Sequence, residues 1–93
     1  MATLIIPTPL RKYTDQQAKF ETDATTVAEA IKELTAAHPN ISRQILDDQG
    51  KVRGFVKIFI GEDDIRSLQG EDTAIEKGTI VSIVPAIAGG SFI

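Results

Sequence analysis

The 93-residue sequence contains no cysteine and no tryptophan, and it has one histidine and one tyrosine. Without cysteine, disulfides and thiolate metal sites are excluded, and nothing indicates an oxidising compartment. The chain also has no thiol on which sulfur could be held, so any sulfur that it carried would have to be attached at a chain end. A single small domain with only four phenylalanines is expected to have little room for a deep substrate pocket.

Long apolar runs and an excess of positive charge are also missing. No stretch approaches the roughly 20 apolar residues that a membrane span requires, and the N-terminus lacks the features of a signal peptide. The net charge is −3, which disfavours nucleic acid as a partner because phosphate binding depends on an excess of lysine and arginine. We therefore expect a cytoplasmic domain that binds neither nucleic acid nor membrane.

Four β-strands, one main helix and a further helical turn are predicted by the pattern of apolar residues. The strands are rich in β-branched or aromatic residues and bounded by turn signals, and they are expected at residues 2–7, 18–22, 54–60 and 79–85. Thr26 stands three residues before Glu29, which forms a capping box that opens a helix. Pro39 should end this helix near His38, because a residue before proline is biased away from the α region. The further turn is expected at residues 40–46.

This order of elements predicts a fold class. A single helix can cover only one face of a sheet, so we expect a two-layer α+β domain whose second face meets solvent or a partner. The first and last strands should pair at the centre of a mixed sheet, which is a β-grasp arrangement. Ile65 and Leu68 are expected to return to the core after the third strand. The domain should span residues 1–88, followed by a flexible C-terminal tail at residues 89–93.

Alternation along the strands predicts which side chains point away from the helix. Lys57 must face solvent, because burying an unpaired ammonium group is very costly, and the polar residues Thr3 and Ser82 fix the other two central strands in the same way. The outward apolar residues are then Ile5, Phe55, Phe59, Ile80 and Val84. A patch of this size typically marks a docking surface for a partner. The alternative is that residues 46–54 or the chain's own tail cover part of it.

No side chain is predicted to act as a catalyst or to bind a metal. His38 has neither a second histidine nor a nucleophile beside it, and its place at a helix end favours a capping role. The acidic residues follow no calcium-loop spacing, and we expect them to form a solvated face: Glu62, Asp63, Asp64, Glu71, Asp72 and Glu76.

The tail carries two consecutive glycines, Gly89 and Gly90, directly after the last predicted strand. An arm without Cβ atoms can enter a narrow channel and adopt dihedral angles that other residues avoid. An enzyme that activates a carboxyl group as an adenylate needs such a slim peptide beside its bound nucleotide. A frayed chain end without function is the alternative.

Several segments of the sequence form a recognisable pattern together. They are the opening Ile6-Pro7-Thr8 with Leu10-Arg11, residues 62–66, residues 69–75, Gly78, and above all the run from Val81 that ends in Pro85-Ala86-Ile87-Ala88-Gly89-Gly90. With these segments, which span nearly the whole chain, the sequence resembles the ThiS/MoaD family of ubiquitin-like β-grasp sulfur carriers. Within that family it is most similar to the CysO branch, which serves cysteine synthesis.

The resemblance implies a carrier protein and not an enzyme. In this family the terminal glycine carboxylate is adenylated with ATP by an E1-like enzyme and converted to a thiocarboxylate that donates sulfur. Carried onto this sequence, that glycine is Gly90, with Gly89 as its neighbour in the enzyme's channel, and no cofactor is bound. The implied partners are the E1-like adenylating and sulfurtransferase enzyme, a JAMM-type metalloprotease, and a cysteine synthase-like or other sulfur-acceptor enzyme.

The sequence departs from the family pattern at its end, because Ser91-Phe92-Ile93 follow the glycine pair. We expect cleavage between Gly90 and Ser91 to precede activation. Two other functions stay open: a ubiquitin-like modifier conjugated through Gly90, and an interaction module whose tail has no role. The sulfur acceptor also stays open among activated serine, a thiazole precursor and a molybdopterin precursor.

Overall fold

The structure is a computed structural model that describes residues 1–85. The predicted boundary between the domain at residues 1–88 and the tail at residues 89–93 lies outside the described residues. The strands are β1 (Ala2–Ile5), β2 (Lys19–Thr22), β3 (Val56–Ile60), β4 (Asp63–Asp64) and β5 (Ile80–Pro85). The α-helices are α1 (Val27–Ala37) and α2 (Ser42–Ile45), and short 3-10 helices lie at Thr8–Tyr13, Pro39–Ile41, Ile65–Ser67 and Gly70–Asp72.

The strands form one mixed sheet in the order β2-β1-β5-β3-β4. The first and last strands pair in parallel, with Leu4 opposite Val81, and β5 pairs antiparallel with β3 on its other side. The outer pairs, β1 with β2 and β3 with β4, are antiparallel. The predicted fold class is therefore confirmed, including the pairing of the two end strands at the sheet centre.

Helix α1 begins and ends where its sequence signals predict. The Thr26 hydroxyl accepts a hydrogen bond from the Glu29 N–H at 3.2 Å. The Glu29 carboxylate does not complete the box at Thr26 but accepts from the Thr25 N–H and hydroxyl, at 3.2 and 2.7 Å. At the other end His38 donates its N–H to the Leu34 carbonyl at 2.9 Å, and Pro39 opens the next 3-10 helix.

The core lies between α1 and one face of the sheet. The helix buries one stripe against inward residues of the three central strands, and the short helices after it add two isoleucines, Ile41 and Ile45, as predicted. The helical stripe is Val27, Ala30, Ile31 and Leu34, and the strand residues are Leu4, Val56, Ile58, Val81 and Ile83. No helix within residues 1–85 is long and apolar enough to cross a membrane.

Three predictions are corrected by the structure. The third strand begins at Val56, not at residue 54, because Gly54 and Phe55 form a turn. Leu68 is 44% exposed and not in the core, because the backbone leaves helical dihedral angles there and turns the side chain outward. Asp63 and Asp64, expected in a solvated loop, form the edge strand β4, because Gly61 at φ +61° reverses the chain.

The cap of α1 gives a testable pH dependence. The Thr25 hydroxyl, and next the Thr25 N–H, lower the pKa of Glu29. A lowered folded-state pKa stabilises the fold above the unfolded pKa, and this contribution disappears as the pH falls through the folded pKa. Glu29→Gln should therefore lower the free energy of unfolding at neutral pH and have little effect in acid, measured by urea unfolding across pH. A difference from wild type that is the same at every pH would contradict this.

Candidate functional site

The face of the sheet opposite α1 is uncovered by any described helix and is called the open face here. Its central residues are Ile5, Phe59, Ile80, Ser82 and Val84. Ile80 is 47% exposed and Val84 41%, whereas Ile5, Phe59 and Ser82 are partly buried. The outward direction predicted for these side chains from strand alternation agrees with their exposure.

Strand register makes the apolar residues of the open face contiguous. Ser82 on β5 lies between Ile5 on β1 and Phe59 on β3, its Cα partners on either side. Ile80 and Val84 lie two residues before and two residues after Ser82 on β5, so they point to the same face. Because neighbouring strands lie about 4.8 Å apart, these side chains form one patch at the middle of the sheet, with a single hydroxyl at its centre.

Polar residues border this patch on all of its neighbouring strands. Lys57 lies beside Val84, and Thr3 lies beside Ile80. Lys19 and Glu21 on β2 pair with Ile5 and Thr3 and are exposed. An apolar centre with a charged border is the usual anatomy of a protein docking site.

Phe55 lies one residue before β3, in a turn, and not on the strand where the sequence placed it. Its side chain is 41% exposed in the turn before β3. The Arg53 guanidinium lies over its ring, 6.0 Å from the ring centroid, a cation–π geometry. Strand alternation predicted an outward Phe55 but gave no role to Arg53. The signal that could have identified Arg53 is its position two residues before an aromatic residue predicted to be exposed.

The last described strand lies at the centre of the sheet. Pro85 ends β5, the middle strand of the five, and its Cα partner is Val56 at the start of β3. The predicted sulfur-carrying residues Gly89 and Gly90, and the predicted cleavage site between Gly90 and Ser91, lie outside the described residues. The structure thus shows the strand that anchors the tail, next to Phe55 and Val84, and not the tail itself.

Side chains elsewhere in residues 1–85 have structural roles. No group of three or more metal-ligating side chains occurs in this part of the chain. His38 caps α1, and its ring packs edge-on against Phe20 with the centroids 6.0 Å apart. Asp64 accepts the Arg66 N–H at 2.9 Å, and Glu71 accepts the Val52 N–H at 3.3 Å. Asp64 thus holds a turn, and Glu71 links two segments that are distant in sequence.

Asp47 shows the same structural use of a carboxylate. Its Oδ1 accepts the Lys51 N–H at 3.0 Å and the Gln49 N–H at 2.8 Å. These two donors, the Lys51 N–H first, lower the pKa of Asp47. The pKa is lowered mainly by hydrogen bonds within one turn, so it indicates a structural carboxylate.

Comparison with known proteins identifies the family. The sulfur carrier protein CysO of Mycobacterium tuberculosis is 38% identical over 90 residues, 95% of this chain and 97% of its own; its crystal structure aligns with a TM-score of 0.83 over 94% of this chain and all of that one. A chain in the crystal structure of the Amycolatopsis orientalis BexX/CysO complex is 29% identical, with a TM-score of 0.87 over 97% of this chain and all of its own.

A further relative is named as a modifier. The small archaeal modifier protein 3 of Haloferax volcanii is 29% identical over 68 residues, 73% of each chain. The model of the ThiS family matches residues 4–90, so the match includes the glycine pair and ends before Ser91. With nearly the whole sequence matched, this chain belongs to the ThiS family.

Proposed function

We propose that this chain is a sulfur carrier whose Gly90, once freed as a carboxylate, is adenylated and converted to a thiocarboxylate. The observation that carries the proposal is the match to the ThiS family up to Gly90, five residues beyond the end of the central strand β5. The similarity to CysO supports it. In this role the chain is the substrate of an activating enzyme and not itself a catalyst.

In this proposal the folded domain and the tail have different roles. The β-grasp domain, residues 1–88 in our proposal, is recognised by the partner, and the tail, once residues 91–93 have been removed, presents the carboxyl carbon of Gly90. Glycines at positions 89 and 90 allow the tail to lie in a narrow channel, because no Cβ atom meets the channel wall.

The chemistry consists of two substitutions. A carboxylate oxygen of Gly90 attacks the α-phosphorus of ATP bound by the partner and expels pyrophosphate, leaving an acyl adenylate. A sulfide ion, HS−, then attacks the acyl carbon and loses its proton, and AMP leaves with the bridging oxygen. The net change is one carboxylate oxygen for one sulfur. The chain needs no cofactor of its own for these steps, since ATP is held by the partner.

Removal of Ser91-Phe92-Ile93 comes first in this scheme. Gly90 is joined to Ser91 by an amide, so hydrolysis of that bond must supply the carboxylate. We propose a JAMM-type zinc metalloprotease for this cleavage: its metal would polarise the Gly90 carbonyl and activate a water for attack.

The open face is the proposed docking surface for the E1-like enzyme. Its apolar patch adjoins the strand from which the tail leaves, so one partner can contact both. We propose that the thiocarboxylate is then used by a cysteine synthase-like enzyme that takes an activated serine, because the sequence resembles the CysO branch and is 38% identical to CysO over 95% of this chain.

The test uses chain ending at Gly90. Incubated with ATP, the E1-like enzyme and a sulfide donor, it should gain the mass of one sulfur and lose that of one oxygen, seen by intact-mass spectrometry. Gly90→Ala should impair this exchange while leaving the urea unfolding curve unchanged, because the residue lies beyond the packed core. A normal yield of thiocarboxylate from the alanine variant would contradict the role of Gly90.

A second function is favoured by one relative, the Haloferax volcanii modifier protein. A modifier would use the same activated Gly90, but a lysine amine of a target would attack the acyl carbon and form an isopeptide bond. Intact-mass and peptide analysis of the chain from its own cells distinguishes the two functions. A carrier yields the thiocarboxylate, and a modifier yields peptides branched at lysine.

A further inference from the structure

Positive charge gathers where β5 ends. The chain has ten lysine and arginine residues against a net charge of −3. Three of them surround Val56, the residue opposite Pro85, and we call these three the cationic rim: Arg53, Lys57 and Arg66. Arg53 and Lys57 lie near Phe55 in sequence, and Arg66 reaches the same end of the sheet, where β5 ends and β3 begins.

Arg53 is held in place by two contacts. Its guanidinium lies over the exposed Phe55 ring, 6.0 Å from the centroid, and its Nε donates to the Arg43 carbonyl at 3.0 Å. A guanidinium fixed in this way loses less conformational freedom on binding than a free one. The Phe55 ring and the charge are therefore presented together.

Arg66 occupies the part of the β3 edge that β4 does not reach. One of its terminal nitrogens donates to the carbonyls of Gly54, at 2.9 Å, and Val56, at 3.4 Å. β4 pairs with β3 only at Phe59 and Ile60, so the Val56 carbonyl at the start of β3 is free to accept from Arg66. The guanidinium has further N–H groups, and the residue is exposed.

Lys57 completes the rim on the open face. It is exposed on β3, and its Cα partner is Val84, one residue before Pro85. Three carboxylates near the rim, Asp47, Asp64 and Glu71, accept backbone N–H groups, and Arg53 also helps to lower the pKa of Asp47. The three cations thus lie around the end of β5: Arg53 in the turn before β3, Lys57 on the open face, and Arg66 at the sheet edge.

We propose that the cationic rim docks against carboxylates at the entrance of the channel that receives the tail, and so aligns the tail with that entrance. This inference rests on the proposed function and names the chemistry of the partner's surface: an apolar contact for Phe55 and Val84, bordered by acidic side chains. A protein fits better than nucleic acid, because three cations on a chain of net charge −3 give few phosphate contacts, and exposed apolar side chains accompany them.

The experiment compares charge reversals in chain ending at Gly90, a form that keeps every residue of the described fold. Arg53→Glu and Lys57→Glu change the rim, and Lys32→Glu makes the same change of charge at an exposed position of α1. The probe is the adenylating enzyme, and the measurement is kcat/KM for ATP–pyrophosphate exchange over a range of salt. Urea unfolding checks each variant; Lys57 is exposed on its strand, so its replacement leaves the core intact.

The rim variants should lose about tenfold or more in kcat/KM at low salt with kcat little changed, and the loss should shrink as salt rises. The Lys32 variant should stay within about twofold of wild type. Equal values for rim and control variants, with wild type active, would overturn this inference alone. No exchange by wild type would overturn the proposed function as well. Saturable binding of duplex DNA that Arg53→Glu abolishes would assign the rim to phosphate and overturn the acidic-partner inference.

Discussion

The 93-residue chain should give no ATP–pyrophosphate exchange with its E1-like partner, whereas chain ending at Gly90 should be a substrate. Adenylation consumes a free carboxylate, and the amide between Gly90 and Ser91 offers none at the reacting carbon. Phe92 and Ile93 also add bulk that a channel shaped for glycines would exclude. We expect exchange by the full-length form to be at background, and measurement of both forms with the same enzyme preparation checks this.

Two controls make the processing prediction specific. Chain ending at Ser91 has a free carboxylate but the wrong terminal residue, so low exchange by this form would show that Gly90 itself is required. Intact-mass spectrometry after the assay shows whether residues 91–93 are still attached. Equal exchange by the full-length and Gly90-ending forms, with the three residues retained, would disprove the requirement for cleavage.

Phe59→Asp should weaken binding of the activating enzyme by about 2 kcal/mol or more, a roughly 30-fold rise in Kd. Phe59 lies next to Ser82 at the middle of the open face, where a central aromatic anchor is expected to contribute most. A carboxylate there would lose the apolar contact and would be desolvated on docking. The measurement is the Kd by calorimetry with chain ending at Gly90.

Stability separates a docking role of Phe59 from a core role. The side chain is partly buried on the face away from α1, and its cross-strand partner is Asp64, so the substitution should lower the free energy of unfolding by about 1 to 3 kcal/mol and leave the chain folded. Ala36→Asp introduces the same charge at an exposed position of α1 and should leave the Kd unchanged. If Phe59→Asp unfolds the chain, or if the Ala36 variant weakens binding equally, the open face is not the docking surface.

Elements with strong local signals could be predicted from the sequence. The capping box at Thr26, the helical stripe of α1 and the alternation in β5 each predicted the observed element within a few residues. Alternation also identified the outward residues of the open face. These features depend on neighbours in sequence, which is why local patterns sufficed.

The missed features depend on contacts that leave no pattern of apolar residues in the sequence. β4 contains only Asp63 and Asp64, so it has no apolar alternation to detect, and it forms because the turn at Gly61 returns the chain to Phe59. The rim likewise assembles only in the fold, where Arg66 reaches the carbonyl of Gly54, twelve residues earlier in sequence. At the tail, Gly89 and Gly90 lie beyond the described residues, and their role stays a prediction.

The central position of β5 relates the proposed reactive residue, Gly90, to the order in which the chain is synthesised. β1 cannot acquire its parallel partner until residues 80–85 have been made, because Thr3 pairs with Ile80 and Ile5 with Ser82. Closing so long a loop favours folding late, after nearly the whole chain is available. Gly90 is synthesised only after that strand. A ribosome product that stops before β5 therefore lacks both the sheet centre and the glycine pair, so an incomplete, unfolded chain has no glycine terminus to be activated.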